Sequence, residues 1–243
     1  MIHYAINQRN DRMLIIFFAL CLCCVATLSW AANPLPILSE EERAQIRVEP
    51  SAEARVQQLL SQAGYAYPVR GSLSFLVFKE DRTLEVWLHT EQGARLLKSY
   101  PVLGMSGFAG PKQRQGDLQV PEGIYRIVWL NAKSEFHLSM QLDYPNEFDR
   151  RKASEEARSH LGGEIFIHGG TSSVGCIAMG DEAIEELFIM TMTAEGGPAE
   201  VIVAPYDFRR QPAPSHPSLF PSWLPELYQQ ITVHLARYPL SER

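Results

Sequence analysis

Glu164-Ile165-Phe166-Ile167-His168-Gly169-Gly170-Thr171-Ser172-Ser173-Val174-Gly175-Cys176-Ile177-Ala178-Met179 is the stretch around which the chain is read. The apolar run Ile165 to Ile167 predicts a short buried strand that delivers His168 at its end onto a loop of small residues. That loop closes on Cys176. An ordinary thiol, with a pKa of about 8.5, is only slightly ionised at neutral pH, so a nucleophilic Cys needs a base or a cation beside it. His168 is the candidate general base and Cys176 the candidate nucleophile. Gly169, Gly170 and Gly175 permit tight turns and close backbone approach, and their amides, with Ser173, are candidates to hold an oxyanion. Taken singly, a Cys is most often a small buried hydrophobe and a strand-ending His often bonds a backbone carbonyl. Their pairing across a glycine-rich loop is what points to chemistry. One Cys and one His fall short of the three or four ligands that zinc takes, so no metal and no cofactor is expected.

Working outward, the 243-residue chain has a net charge of −6, which argues against nucleic-acid binding because that favours a clustered basic surface. Arg9 and Arg12 precede an apolar run from Met13 to Leu28, followed by Ser29-Trp30-Ala31-Ala32. This order reads as a signal peptide over residues 1–31, with export to the periplasm as its consequence. The run is short for a membrane span, which wants about 20 residues. Cleavage after Ala31 would remove Cys21, Cys23 and Cys24 and leave Cys176 without a disulfide partner, as either buried filler or a reactive thiol.

Residues 32–70 read as an N-terminal helical segment. Ser39-Glu40-Glu41-Glu42 resembles a capping box opening a first helix limited by Pro50, and Ala52 to Ala63 reads as a second, with Val56, Leu59 and Leu60 on one face. Residues 71–208 are expected to form the catalytic domain. Ser72–Lys79 and Thr83–Thr90 predict a hairpin, and Arg95–Val102, Ile124–Leu130, Glu135–Leu142 and Val201–Ala204 further strands. Gly104–Pro121 is a long loop expected near the cleft. Asp143–Gly163 is polar, with a helical turn expected around Glu155–His160. Its arginines read first as a solvated face, although Arg150 or Arg158 would suit a substrate carboxylate. Asp181 is expected to cap a helix reaching Thr191. Residues 209–243 read as a proline-rich connection and a docked C-terminal helix with Leu227, Ile231, Leu235 and Tyr238 in a stripe.

The His168-Gly169 pair followed by Ser173-Val174-Gly175-Cys176-Ile177-Ala178-Met179 resembles the active-site signature of the L,D-transpeptidase catalytic domain family. Gly116-Asp117 with Pro121-Glu122-Gly123-Ile124-Tyr125 is similar to another family segment, with Val120 where Thr is usual, as is the strand Leu84-Glu85-Val86-Trp87. The resemblance spans roughly Ser72 to Pro205. It departs at Val174 and Ala178, where commoner members have His and Arg. The short His-to-Cys spacing and Leu142-Asp143-Tyr144-Pro145-Asn146 look more like a proteobacterial subfamily that includes a lipoprotein-releasing murein amidase.

The resemblance implies a mainly β fold, a sandwich with flanking N- and C-terminal helices. It also implies a cysteine acyltransferase of cell-wall biogenesis or degradation, acting through a thioester at the diaminopimelate of peptidoglycan stem peptides. Tyr144 joins Arg150 and Arg158 as a candidate substrate contact. Two other readings stay open: hydrolysis of the lipoprotein–peptidoglycan link or of cross-links, which would make murein-attached lipoprotein a partner, and a non-catalytic peptidoglycan-binding module.

Overall fold

The computed structural model describes residues 50–214 and 220–240. The expected signal peptide and first helix lie outside these residues. Helix α1, Pro50–Gln62, leads into strands β1 (Ser72–Phe78), β2 (Thr83–Thr90) and β3 (Gly93–Pro101). After the long loop come β4 (Gly123–Asn131), β5 (Ser139–Leu142), α2 (Glu147–Glu155), β6 (Phe166–His168) and β7 (Ile177–Ala178). Helix α3 (Asp181–Thr193), strand β8 (Glu200–Ala204) and helix α4 (Leu224–Leu235) complete the order.

The strands form one eight-stranded curled sheet in the order β3-β2-β1-β8-β4-β5-β6-β7. β1 pairs with β8, and β6 with β7, in parallel. Strand β4 serves both halves: Gly123 to Arg126 pair with β8, and Ile127 to Asn131 pair with β5 after a register shift between Ile127 and Trp129. An irregularity of this kind adds local bend and twist. The result is mainly β with flanking helices, as the sequence implied.

Strands β1 and β8 read as continuous apolar runs because both their faces are covered. Phe75, Val77, Val201 and Val203 point into the core shared with α1 and α3. Leu76, Phe78, Ile202 and Ala204 point into a second core roofed by α4, where Leu227, Tyr228, Ile231, Leu235 and Tyr238 pack. Helix α1 is fastened to α3 by Arg55, which reaches Glu185 at 3.0 Å and Glu186 at 2.9 Å.

Three expectations are corrected. The helical turn expected at Glu155–His160 is not formed: the helix of this segment, α2, lies earlier, beginning at Glu147 and ending at Glu155. Asn146 caps it in a reciprocal capping box with Asp149. The strand expected from Glu135 starts only at Ser139, because His137 takes φ 70 and turns the chain. Asp181 is the first residue of α3 and its cap position is Gly180, which makes no side-chain capping bond.

Candidate active site

Strand β6 ends at His168 and the parallel β7 starts one residue after Cys176, with Ile167 opposite Ile177 and His168 opposite Ala178. Both isoleucines are fully buried, so the pair of strands is a rigid support for the two polar side chains. Extending the register by one residue sets Cys176 level with Phe166, roughly 7 Å along the strand from His168.

His168 is buried, and its Nδ1 lies 2.6 Å from the Gly169 carbonyl oxygen. A carbonyl only accepts, so Nδ1 carries the proton and Nε2 of the neutral ring is the free base. Nε2 faces the Ser173 hydroxyl at 3.3 Å. Burial lowers the His168 pKa from its ordinary value, and the bond to the Gly169 carbonyl opposes this in part. The ring is therefore neutral at pH 7. Phe136, 54% exposed, lies over it with ring centroids 4.7 Å apart.

The Cys176 sulfur accepts from the Phe166 N–H at 3.4 Å and donates to the Glu164 carbonyl at 3.6 Å. No hydrogen bond joins it to His168, in keeping with the stagger of the two strands. Burial raises the thiol pKa; the Phe166 N–H and then the Lys112 ammonium pull it back, and Glu164 opposes them. Cys176 rests as a thiol, and to act as a nucleophile it would need a base such as His168.

The loop glycines divide differently from expectation. Gly169 contributes its carbonyl to His168, while its N–H belongs to the sheet, bonding Leu138 O at 3.1 Å. A Cβ on Gly169 would fall 2.5 Å from the Phe136 carbonyl oxygen, so the close approach requires glycine. The Gly170 N–H is taken by Asp181 Oδ1 at 2.8 Å. Neither amide is therefore a spare oxyanion donor. Gly175, at φ 81, turns the chain into Cys176 and donates its N–H to Ser106 Oγ at 2.8 Å.

Ser106 belongs to the long loop, which the two further motif segments hold in place. Asp117 accepts from the N–H groups of Gln113, Arg114 and Gln119 and from the Lys112 ammonium at 2.6 Å. Burial pushes the Asp117 pKa up, but Lys112 and these backbone bonds hold it below the usual carboxylate range. Glu122 is buried and accepts from Lys79 Nζ at 3.1 Å, Gly110 N at 2.7 Å and Tyr228 Oη of α4 at 2.8 Å.

A cavity of about 740 Å³ opens beside Glu164, whose carbonyl receives the thiol proton, and is lined also by Arg150, Arg158 and His160. It shares Arg158 and Ser159 with a cavity of about 790 Å³ bordered by Phe108, Arg114, Gln119 and Phe220. Arg158 spends one N–H on Gln113 O and another on Glu156, and Arg150 spends one on Pro145 O. Tyr144 does not line either space. It is 4% exposed, and its hydroxyl donates to Leu161 O at 3.1 Å, so it is a core residue and not a substrate contact.

The sequence profile of the YkuD L,D-transpeptidase catalytic domain matches residues 74–203, a span that holds His168, Cys176, the long loop and most of every strand. The chain belongs to the L,D-transpeptidase catalytic domain family. Over 149 residues this L,D-transpeptidase domain is 36% identical to the "Putative L,D-transpeptidase YafK" of Escherichia coli strain K12 and, to the same extent, to that of strain O157:H7. The alignment covers 60% of this chain and 58% of those relatives' length. Among solved structures, it is similar to the helical cell shape determining protein Pgp2 from Campylobacter jejuni, at 20% identity and TM-score 0.43, over 61% of this chain and 54% of that one. Bd1075 from Bdellovibrio bacteriovorus is 19% identical with TM-score 0.41, over 69% and 55% of the two chains.

Two positions depart from the commoner L,D-transpeptidase signature. Val174 stands 70% exposed at the crest of the loop. Ala178 is fully buried and pairs with His168 on one side and Gly104 on the other, a place suited to a small side chain.

Proposed function

We propose that the protein is a cysteine-dependent peptidoglycan L,D-transpeptidase acting in the periplasm, with Cys176 as nucleophile and His168 as general base. The observation that carries this reading is the neutral His168 ring, fixed by the Gly169 carbonyl so that Nε2 turns toward the loop that ends in Cys176. The thiol swings off the Glu164 carbonyl, gives its proton to Nε2 and attacks the stem-peptide carbonyl at the diaminopimelate. The carbon–sulfur bond forms as the amide carbon–nitrogen bond breaks, and the imidazolium returns the proton to the leaving amine. An acceptor amine then attacks the thioester, loses its proton to His168, and restores the thiol. The basic cavity beside Glu164 suits the carboxylates of such a stem peptide, with Arg150 and Arg158 as the contacts.

The test is mass spectrometry of purified sacculi, with and without attached lipoprotein, after incubation with residues Ala32 to Arg243 or with the Cys176→Ala variant. Transpeptidation predicts new dimeric muropeptides made only by the intact thiol. Released lipoprotein or trimmed monomers without new dimers would replace the transferase with a hydrolase working through the same acyl-enzyme. Unchanged products, together with Cys176 labelling no faster than a free thiol, would make the domain a binding module.

A further inference from the structure

Ser106 is the side chain of the long loop that reaches the turn before the nucleophile. Its Oγ accepts the Gly175 N–H at 2.8 Å and donates its own proton to the Leu118 carbonyl at 2.7 Å. Of the glycine amides expected to hold an oxyanion, those of Gly169 and Gly170 are committed to Leu138 and Asp181, and that of Gly175 to Ser106 itself. Yet attack by Cys176 places a negative charge on an oxygen only two bonds from the sulfur, and such a charge needs a positioned donor. A hydroxyl that accepts a bond from an amide is polarised into a stronger donor. The bond to the Leu118 carbonyl lies exposed, so water can replace the proton that Ser106 withdraws.

We propose that Ser106 is a further catalytic residue that completes the oxyanion site, turning its hydroxyl from the Leu118 carbonyl to the developing oxyanion while the Gly175 N–H holds its oxygen in place. The inference rests on the acyl-enzyme reading above. Electron pairs move from sulfur to the carbonyl carbon and from the carbonyl π bond to oxygen. Ser106 shares its proton with that oxygen without giving it up, and the C=O bond re-forms when the amine or alcohol leaves.

Two reagents separate this role from bracing of the loop. p-Nitrophenyl acetate acylates the thiol through an oxyanion and releases p-nitrophenolate, whereas iodoacetamide alkylates it by displacing iodide at a saturated carbon. Ser106→Ala is expected to acylate roughly 100-fold more slowly than the parent protein, with alkylation unchanged from pH 6 to 9. Ser106→Thr, which keeps the hydroxyl, should restore most of the rate. Acylation of Ser106→Ala at the parent rate would overturn the proposal, and so would equal slowing of both reactions, which would make Ser106 a brace. A parent Cys176 no more reactive than free cysteine toward either reagent would remove the acyl-enzyme reading itself, and the proposal with it.

Discussion

His168 holds its proton on Nδ1, so its pKa governs whether Nε2 can act at all. In the proposed mechanism the neutral ring is the working form, and burial lowers its pKa below the ordinary value of about 6.5. Turnover should therefore rise with pH along a limb whose midpoint lies below 6.5 and stay level from there to 8, as read from kcat/KM on a stem-peptide substrate. A midpoint at or above 6.5 would contradict the environment described for the ring. Lys112 supplies the opposite kind of control. It is the cation that draws the buried thiol toward ionisation, so Lys112→Met should move the pH midpoint of iodoacetamide labelling at Cys176 upward and slow labelling at pH 7. Unchanged labelling would mean that Asp117, bonded to Lys112 at 2.6 Å, already cancels its field at the sulfur.

Helix α2 carries its own titration. Asp149 closes the capping box by accepting from Asn146 N at 3.0 Å, and burial raises its pKa to about 6 against the bonds that favour its charge. Because the folded-state pKa lies above the unfolded value of about 3.9, the folded protein binds more protons across that interval. Its contribution to stability therefore grows as pH falls from 7 through 6 toward 4, and the charged form is the costly one. Urea midpoints at pH 7 and pH 5 should show this increment in the parent chain and lack it in Asp149→Asn, which keeps an oxygen for the Asn146 N–H. The same helix shows where sequence reading stops. His168, Cys176 and the flanking strands were legible because strand periodicity and a glycine-rich turn are local signals. Asn146 and Asp149 are a local signal too, an N-cap Asn with a carboxylate three residues on, but the charges that follow mask it. Ser106 and Phe136 left no local trace, since each meets its partner only through the pairing of β5 and β6 and the path of the long loop.

Across the molecule, the buried Lys79–Glu122 pair ties β1, the long loop and α4 together. Lys79 also donates to Gly110 O at 2.9 Å and Val120 O at 3.0 Å, and Tyr228 completes the carboxylate. Glu122→Gln strips the counter-charge from a buried ammonium and should cost about 3 kcal/mol or more in urea unfolding at pH 7. Tyr228→Phe removes one hydrogen bond to a charged group and should cost about 2 kcal/mol. Equal stability of Glu122→Gln and the parent would show that the pair adds position and no net energy.

Strand β8, the last in sequence among the described residues, lies at the middle of the sheet between β1 and β4. During synthesis from the N-terminus, everything through α3 emerges while the two strands that flank β8 still expose unpaired edges. The sheet can close only after Ala204 has left the ribosome, and the β6–β7 support of the thiol is joined to β1 only then. A nascent chain stalled before Glu200 would thus be an open-edged, protease-sensitive species, because the β1–β3 and β4–β7 halves of the sheet are joined only through β8.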